Sequence, residues 1–183
     1  MLRLTSLCVV LAFGTQLAAQ TQSAWERQVL PPKARMLVSK KFPGWRIKGL
    51  ADLVDDDKEL WAKAHPKECP GIAIGHFETP NQTAYGLLLI PASGTETSYK
   101  ILVLSKSPTT DVYSVRVLDH AEGQPGSGSG LVISKVPPGK YSGFDTTQPV
   151  RLRLDALEAE WIEKSSVLYY WRNGRYRALQ TSD

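Results

Sequence analysis

The sequence predicts an α+β domain in which two short N-terminal helices pack on an antiparallel β-meander that ends in a C-terminal hairpin. Three observations predict it. Helical spacing with start and stop signals is confined to residues 30–66; β-rich segments separated by turn residues recur from Ile72 onward; and Asn173-Gly174 divides two strand-like runs near the C-terminus. The overall composition agrees: 183 residues, 42% hydrophobic and 22% charged, suit one folded domain. Such a chain is too apolar and too weakly charged for disorder, its 14 Gly and 12 Pro lack a collagen period, and no long internal repeat suggests a solenoid.

Residues 1–20 have the layout of a secretory signal peptide, leaving residues 21–183 as a single domain. Arg3 supplies the positive start, Leu4 to Phe13 is an apolar run too short to span a bilayer, and Ala18-Ala19-Gln20 brings the small residues of a cleavage site. Cys8 lies inside the apolar run and leaves with it. The mature chain then carries 21 basic and 18 acidic residues, a net charge of +3, and one thiol, Cys69. That charge argues against nucleic acid as a partner. The signal peptide leads to the expectation of a periplasmic or secreted location, and no later stretch is apolar enough to span a membrane.

Leu30-Pro31-Pro32 opens a helix over Lys33 to Lys41, with Ala34, Leu37 and Val38 at helical spacing and Phe42-Pro43-Gly44 as its stop. Trp45 to Leu50 alternates as a short strand. A second helix is expected from Asp56 to Ala64, with Asp55 as its N-cap, Asp56, Asp57 and Glu59 at the positive end of its dipole and Pro66 beyond its end. Ile72 to Phe77, Tyr85 to Ile90, Tyr99 to Leu104 and Tyr113 to Leu118 read as consecutive strands. Leu87 to Ile90 and Ile101 to Leu104 are apolar on both faces, which places them mid-sheet under the helices.

Residues 124–130, Gln-Pro-Gly-Ser-Gly-Ser-Gly, form a flexible surface connection before the strand Leu131 to Val136. They lack the Lys-Ser/Thr of a P-loop. Residues 151–162 fit either a helix through Leu154, Leu157 and Trp161 or a strand; we prefer a strand over Leu157 to Glu163, with Ser165-Ser166 turning into the hairpin. The hairpin register opposes Arg172 to Arg175, Trp171 to Tyr176 and Tyr170 to Arg177. Trp171, Tyr176 and Tyr169 then form an aromatic ladder on one face, and Tyr170 with Arg177 a cation–π pair on the other.

Two groups of residues carry candidate chemistry. Tyr170, Trp171, Arg172, Arg175 and Arg177 gather the residue types that dominate interface energetics, and the like charges at the tip imply that it is wet. Cys69 lies near His65 and His76 in sequence, and a Cys/His pair would make an acyl-transfer nucleophile if an imidazole held the thiol deprotonated. The same residues with Glu68 or Glu78 match no closed zinc spacing, and Asp55-Asp56-Asp57 is accounted for by a helix N-terminus, so no metal site is assigned. Of the five tryptophans, Trp45, Trp61 and Trp161 are expected in the core, while Trp25 suggests no role.

Cys69-Pro70-Gly71-Ile72-Ala73-Ile74-Gly75-His76-Phe77, followed by Tyr85-Gly86-Leu87-Leu88-Leu89, resembles one unit of the FG-GAP (integrin-like, VCBS-type) repeat. With Phe42-Pro43-Gly44-Trp45-Arg46 upstream and Tyr169 to Gly174 downstream, the chain is similar to uncharacterised small secreted bacterial proteins carrying one degenerate unit. The repeat's loop holds calcium on alternating carboxylates. Here His76, Glu78, Pro80, Asn81 and Ala84 leave one carboxylate, so the resemblance implies a scaffold without metal or cofactor. The function expected is a non-enzymatic periplasmic or secreted binding module whose partner is a protein or a cell-envelope ligand. The alternatives are a hydrolase using Cys69 with His65 or His76, and an inhibitor or immunity protein against a cell-wall enzyme.

Overall fold

A computed structural model of the chain describes residues 29–93, 97–124, 126, 128–146 and 148–183. The predicted signal peptide lies outside these residues, as does Trp25. Within them the chain is α+β and predominantly antiparallel sheet.

Helix α1 (Pro32–Lys41) begins where the sequence predicts, because proline is tolerated where the first amide needs no partner. Its buried residues Ala34 and Val38 continue a stripe that starts at Leu30. Strand β1 (Trp45–Ile47) is shorter than the alternation predicts. Asp52 is the reason: its carboxylate accepts from Arg46 Nη1 at 2.6 Å and from the Gly49 amide at 2.8 Å, drawing the chain into a 3₁₀ turn over Leu50–Asp52. Helix α2 (Asp55–Ala64) follows, and its N-cap is Val54 rather than Asp55. Asp55 instead lies in the first turn and accepts from Lys58 at 2.8 Å.

The strands are β2 (Ile72–Gly75), β3 (Ala84–Pro91), β4 (Tyr99–Lys106), β5 (Tyr113–Ala121), β6 (Leu131–Val136), β7 (Gly139–Tyr141), β8 (Val150–Leu152), β9 (Ala156–Trp161), β10 (Ser165–Arg172) and β11 (Arg175–Ser182). They do not form the single meander that the sequence predicts. β1, β3, β4 and β5 lie side by side in a first sheet with β2 also on β3; β11, β10, β9 and β6 make a second; β7 and β8 form a separate ribbon.

Apolar residues on both faces of β3 and β4 explain the split. Leu87, Leu89, Leu102 and Leu104 pack against Leu30, Ala34 and Val38 on the α1 side. Leu88, Ile101 and Val103 point the other way and meet Leu131, Ile133, Leu157, Ala159 and Tyr169 of the second sheet. A one-sided meander would leave that second face in water, at about 1.5–3 kcal/mol for each large side chain. Helix α2 covers the outer face of the second sheet through Trp61, together with Leu53 just ahead of it, on Val132 and Ile162, so the two helices cover different sheets. The ribbon covers another part of that face, with Leu152 beside Leu168 and Leu179.

Lys48 joins these layers. It is fully buried, and its ammonium donates to the Gly128 carbonyl at 2.6 Å. A buried ammonium requires acceptors, and the glycine-rich connection supplies one. That connection is therefore anchored to the interior at Gly128, not merely laid over the surface. Within residues 151–162 there is no helix: β8 ends at Leu152 and β9 occupies Ala156–Trp161, stopping short of the predicted Glu163, which instead closes the β9–β10 turn with φ of 60°.

Candidate functional site

The hairpin has the register that Asn173-Gly174 predicts, with φ of 53° and 76° at the two turn residues. Arg172 faces Arg175, Trp171 faces Tyr176 and Tyr170 faces Arg177. Alternation then divides the five predicted binding residues. Tyr170 packs with Leu168 and Leu179 on the outer face of the second sheet, and Arg172, Arg175 and Arg177 share that face by register. All three arginines are exposed. Trp171 points to the inner face, towards the first sheet.

The inner face of the tip is a packed aromatic joint. Trp171 and Tyr176 meet edge to face, with centroids 5.0 Å apart. The Arg116 guanidinium of β5 lies 5.0 Å above the Trp171 ring and donates from Nε to Glu78 at 3.0 Å. This is the cation–π contact at the hairpin, in place of the expected Tyr170–Arg177 pair, because Tyr170 is turned onto the apolar cluster under the ribbon. Burial, then the neighbouring Glu78 carboxylate, push the Tyr176 hydroxyl far above the usual tyrosine range. Tyr176 stays neutral, and the joint is held by packing and one cation.

Asp119, for which no local pattern predicts a role, ties the sheets together. Its Oδ2 accepts from Tyr99 of β4 and from Tyr169 of β10, each at 3.0 Å. Burial, then the Asp119 charge, raise both tyrosines well above their ordinary values. Trp161 meets Tyr99 edge to face at 6.0 Å. The hairpin thus projects from a fixed base.

Cys69, His65 and His76 acquire separate surroundings. The Cys69 thiol donates to the Lys48 carbonyl at 3.5 Å and packs against the α1-side core. The His65 ring stacks on Trp61 at 4.1 Å, and its Nδ1 lies 3.1 Å from Glu68. His76 stands beyond the far end of β2 from Cys69, a strand that spans about 10 Å. Its amide donates to Asp155 at 2.7 Å and its Nδ1 lies 3.7 Å from the same oxygen. Each imidazole is placed beside a carboxylate. The predicted core tryptophans also differ: Trp61 is buried, whereas Trp45 is partly exposed under Lys100, whose Nζ is 4.3 Å from its ring.

A cleft of about 660 Å³ opens between the β2–β3 and β4–β5 loops, lined by Thr79, Gln82, Lys106, Thr109 and Asp111 among others. Its lining holds neither a histidine nor a cysteine. Asp111 is held down at about 2 by hydrogen bonds from Lys106 and Lys33. On the outer face of the second sheet, Glu158 accepts from Ser134 at 3.1 Å, and burial raises its carboxyl above the usual range.

Among the described residues, ion pairs hold a minority of the cations. Lys33, Arg46, Lys58, Lys100, Lys106 and Arg116 all have a carboxylate within ion-pair distance. Among the described residues, Arg172, Arg175 and Arg177 have none. Lys140 and Arg151, paired across the ribbon beside them, also have none. Comparison of this chain with family models, with curated proteins and with solved structures finds no match.

Proposed function

We propose that the chain is a non-enzymatic binding module, acting in the periplasm or outside the cell, that engages an anionic partner through the outer face of the C-terminal hairpin. One observation carries the reading: Arg172, Arg175 and Arg177 gather on one exposed face of a single hairpin, without a carboxylate partner among the described residues. Arg172 and Arg175 also stand directly opposite one another, an arrangement that costs stability relative to an opposite-charge pair. Stability alone does not call for it. A carboxylate-bearing or similar anionic ligand would relieve the repulsion and use the guanidinium fork for bidentate contact. Lys140 and Arg151 extend the positive field.

The separation of the faces supports the same reading. Trp171, Tyr176, Arg116 and Glu78 hold the tip from within, so the arginines are presented on a rigid ribbon and little order is lost on binding. The test is titration of the mature chain with polyglutamate by calorimetry. Binding that weakens with salt and falls at least about tenfold in an R172A/R175A/R177A variant of unchanged melting temperature is expected. Equal affinity in the variant rejects the reading.

A further inference from the structure

The free edge of β11 adds a second recognition element to the arginine face. β11 is the terminal strand of its sheet. In a two-residue hairpin the pair flanking the turn, Arg172 and Arg175, exchanges both hydrogen bonds, so alternate residues turn their backbone groups off the sheet. Those residues are Tyr176, Ala178 and Gln180. Gln180 confirms the phase: its carbonyl accepts from the Phe144 amide at 2.8 Å, where the chain's own Gly143-Phe144 segment lies against the edge. Towards the tip that coverage stops. Among the described residues no backbone partner meets Tyr176 or Ala178 on this side, and Arg177 and Ala178 are exposed.

We infer that this edge is a site of strand addition, taking an extended acidic segment of a partner protein that pairs with Tyr176 and Ala178 while its alternate carboxylates meet Arg175 and Arg177. The inference rests on the anionic-partner reading above and narrows it to a peptide. Period two governs both components. Arg175 and Arg177 are two residues apart on one face, and an added strand presents its own side chains to that face at the same spacing. The edge also discriminates against a second copy of this chain, since edge-to-edge pairing of two β11 strands would bring two arginine sets together. A main-chain ladder further separates peptides from acidic polysaccharides, which offer charge without amides.

The probes are a synthetic twelve-residue peptide alternating Glu and Thr, and the same peptide N-methylated at alternate backbone amides. The protein is the mature chain, with R175E/R177E and A178P variants; Ala178 turns its amide outward, so proline there removes an edge donor and leaves the hairpin ladder intact. Expected are binding of the plain peptide, a loss of at least about tenfold in both variants and on N-methylation, and slowed hydrogen exchange at Tyr176 and Ala178. If A178P and the N-methylated peptide bind as well as their parents while R175E/R177E does not, strand addition is overturned and the anionic-partner reading survives. If R175E/R177E also binds normally, both fall. Because the N-methylated peptide is tested on the unmodified protein, the outcome stands even if A178P fails to fold. Binding of dextran sulfate, but not the plain peptide, or a β11-dependent dimer in sedimentation, also overturns the inference.

Discussion

Replacing Gly86 by alanine tests the seating of the two sheets that fixes where the hairpin points. Gly86 is buried in β3, opposite Val103 of β4 in its own sheet and against Leu157 of β9 in the other. A Cβ at this position would lie 2.4 Å from Leu157 Cδ1 and 3.2 and 3.4 Å from Cδ2 and Cγ. Ordinary carbon contacts begin near 3.5 Å, so one of the two residues must move by about 1 Å. Leu157 is fully buried and β3 is flanked on both sides, so neither has room. Overpacking of this kind costs about 1–3 kcal/mol, offset by about 0.5–1 kcal/mol for replacing glycine in a strand. A net loss of roughly 0–2.5 kcal/mol in urea unfolding, at unchanged m-value, is expected from these terms. Leu157→Ala alone should cost about 2–5 kcal/mol, yet it deletes all three atoms the new Cβ would meet. In that background Gly86→Ala should become neutral or stabilising, a coupling of about 1–3 kcal/mol. Additive effects within about 0.5 kcal/mol would show that these residues do not face each other and would refute the argument.

Asp119→Ala removes the shared acceptor of two partly buried tyrosine hydroxyls, and a loss of about 2–4 kcal/mol is expected, with Tyr99→Phe and Tyr169→Phe each recovering part of it in the variant. The same tyrosines predict alkaline sensitivity. Their folded values are raised above the ordinary 10.0, so the stability they contribute is complete below pH 10 and lost as pH rises beyond it; a flat stability profile there contradicts the burial of the pair. Glu158 gives the opposite window. Burial raises its carboxyl above the ordinary 4.5, so the folded chain holds a proton that the unfolded chain releases, and stability falls as pH rises through and just above 4.5. Glu158→Gln should remove that fall and leave stability below pH 4.5 nearly unchanged, as read from denaturant midpoints across the range.

The parts of the fold legible in the sequence were those fixed by neighbours along the chain. Asn173-Gly174 sets a turn by its own φ requirements, and Pro32 and Pro43 bracket α1. The division into two sheets was not legible. It rests on contacts such as Gly86 with Leu157, and Asp119 with Tyr169 fifty positions away, which no local period encodes. The apolar second faces of β3 and β4 did signal that something must cover them, but helices and a second sheet satisfy that demand equally. At the candidate site, alternation already separated Trp171 from Tyr170 and the arginines. It could not say which face was the inner one, since both carry an aromatic residue; Arg116 and Glu78 decide it from distant strands.

The edge of the first sheet is one strand written in two pieces. β1 pairs with Leu89 to Pro91 and β2 with Ala84 to Leu87, while Leu88 between them accepts from the Lys48 amide at 2.9 Å and donates to the Gly71 carbonyl at 3.0 Å. The two chain ends nearly touch: a Cβ on Gly71 would lie 2.2 Å from the Lys48 carbonyl oxygen, so only glycine fits the junction. Everything from Gly49 to Pro70, including α2 and Cys69, is thus an excursion that leaves and rejoins the ladder at a single rung. Such a junction is a natural cassette boundary. The intervening segment can be shortened, replaced or diversified with the sheet's register kept, provided that its new contents still cover Val132 and Ile162, fill the place of Cys69 on the α1-side core and supply a partner for Arg46.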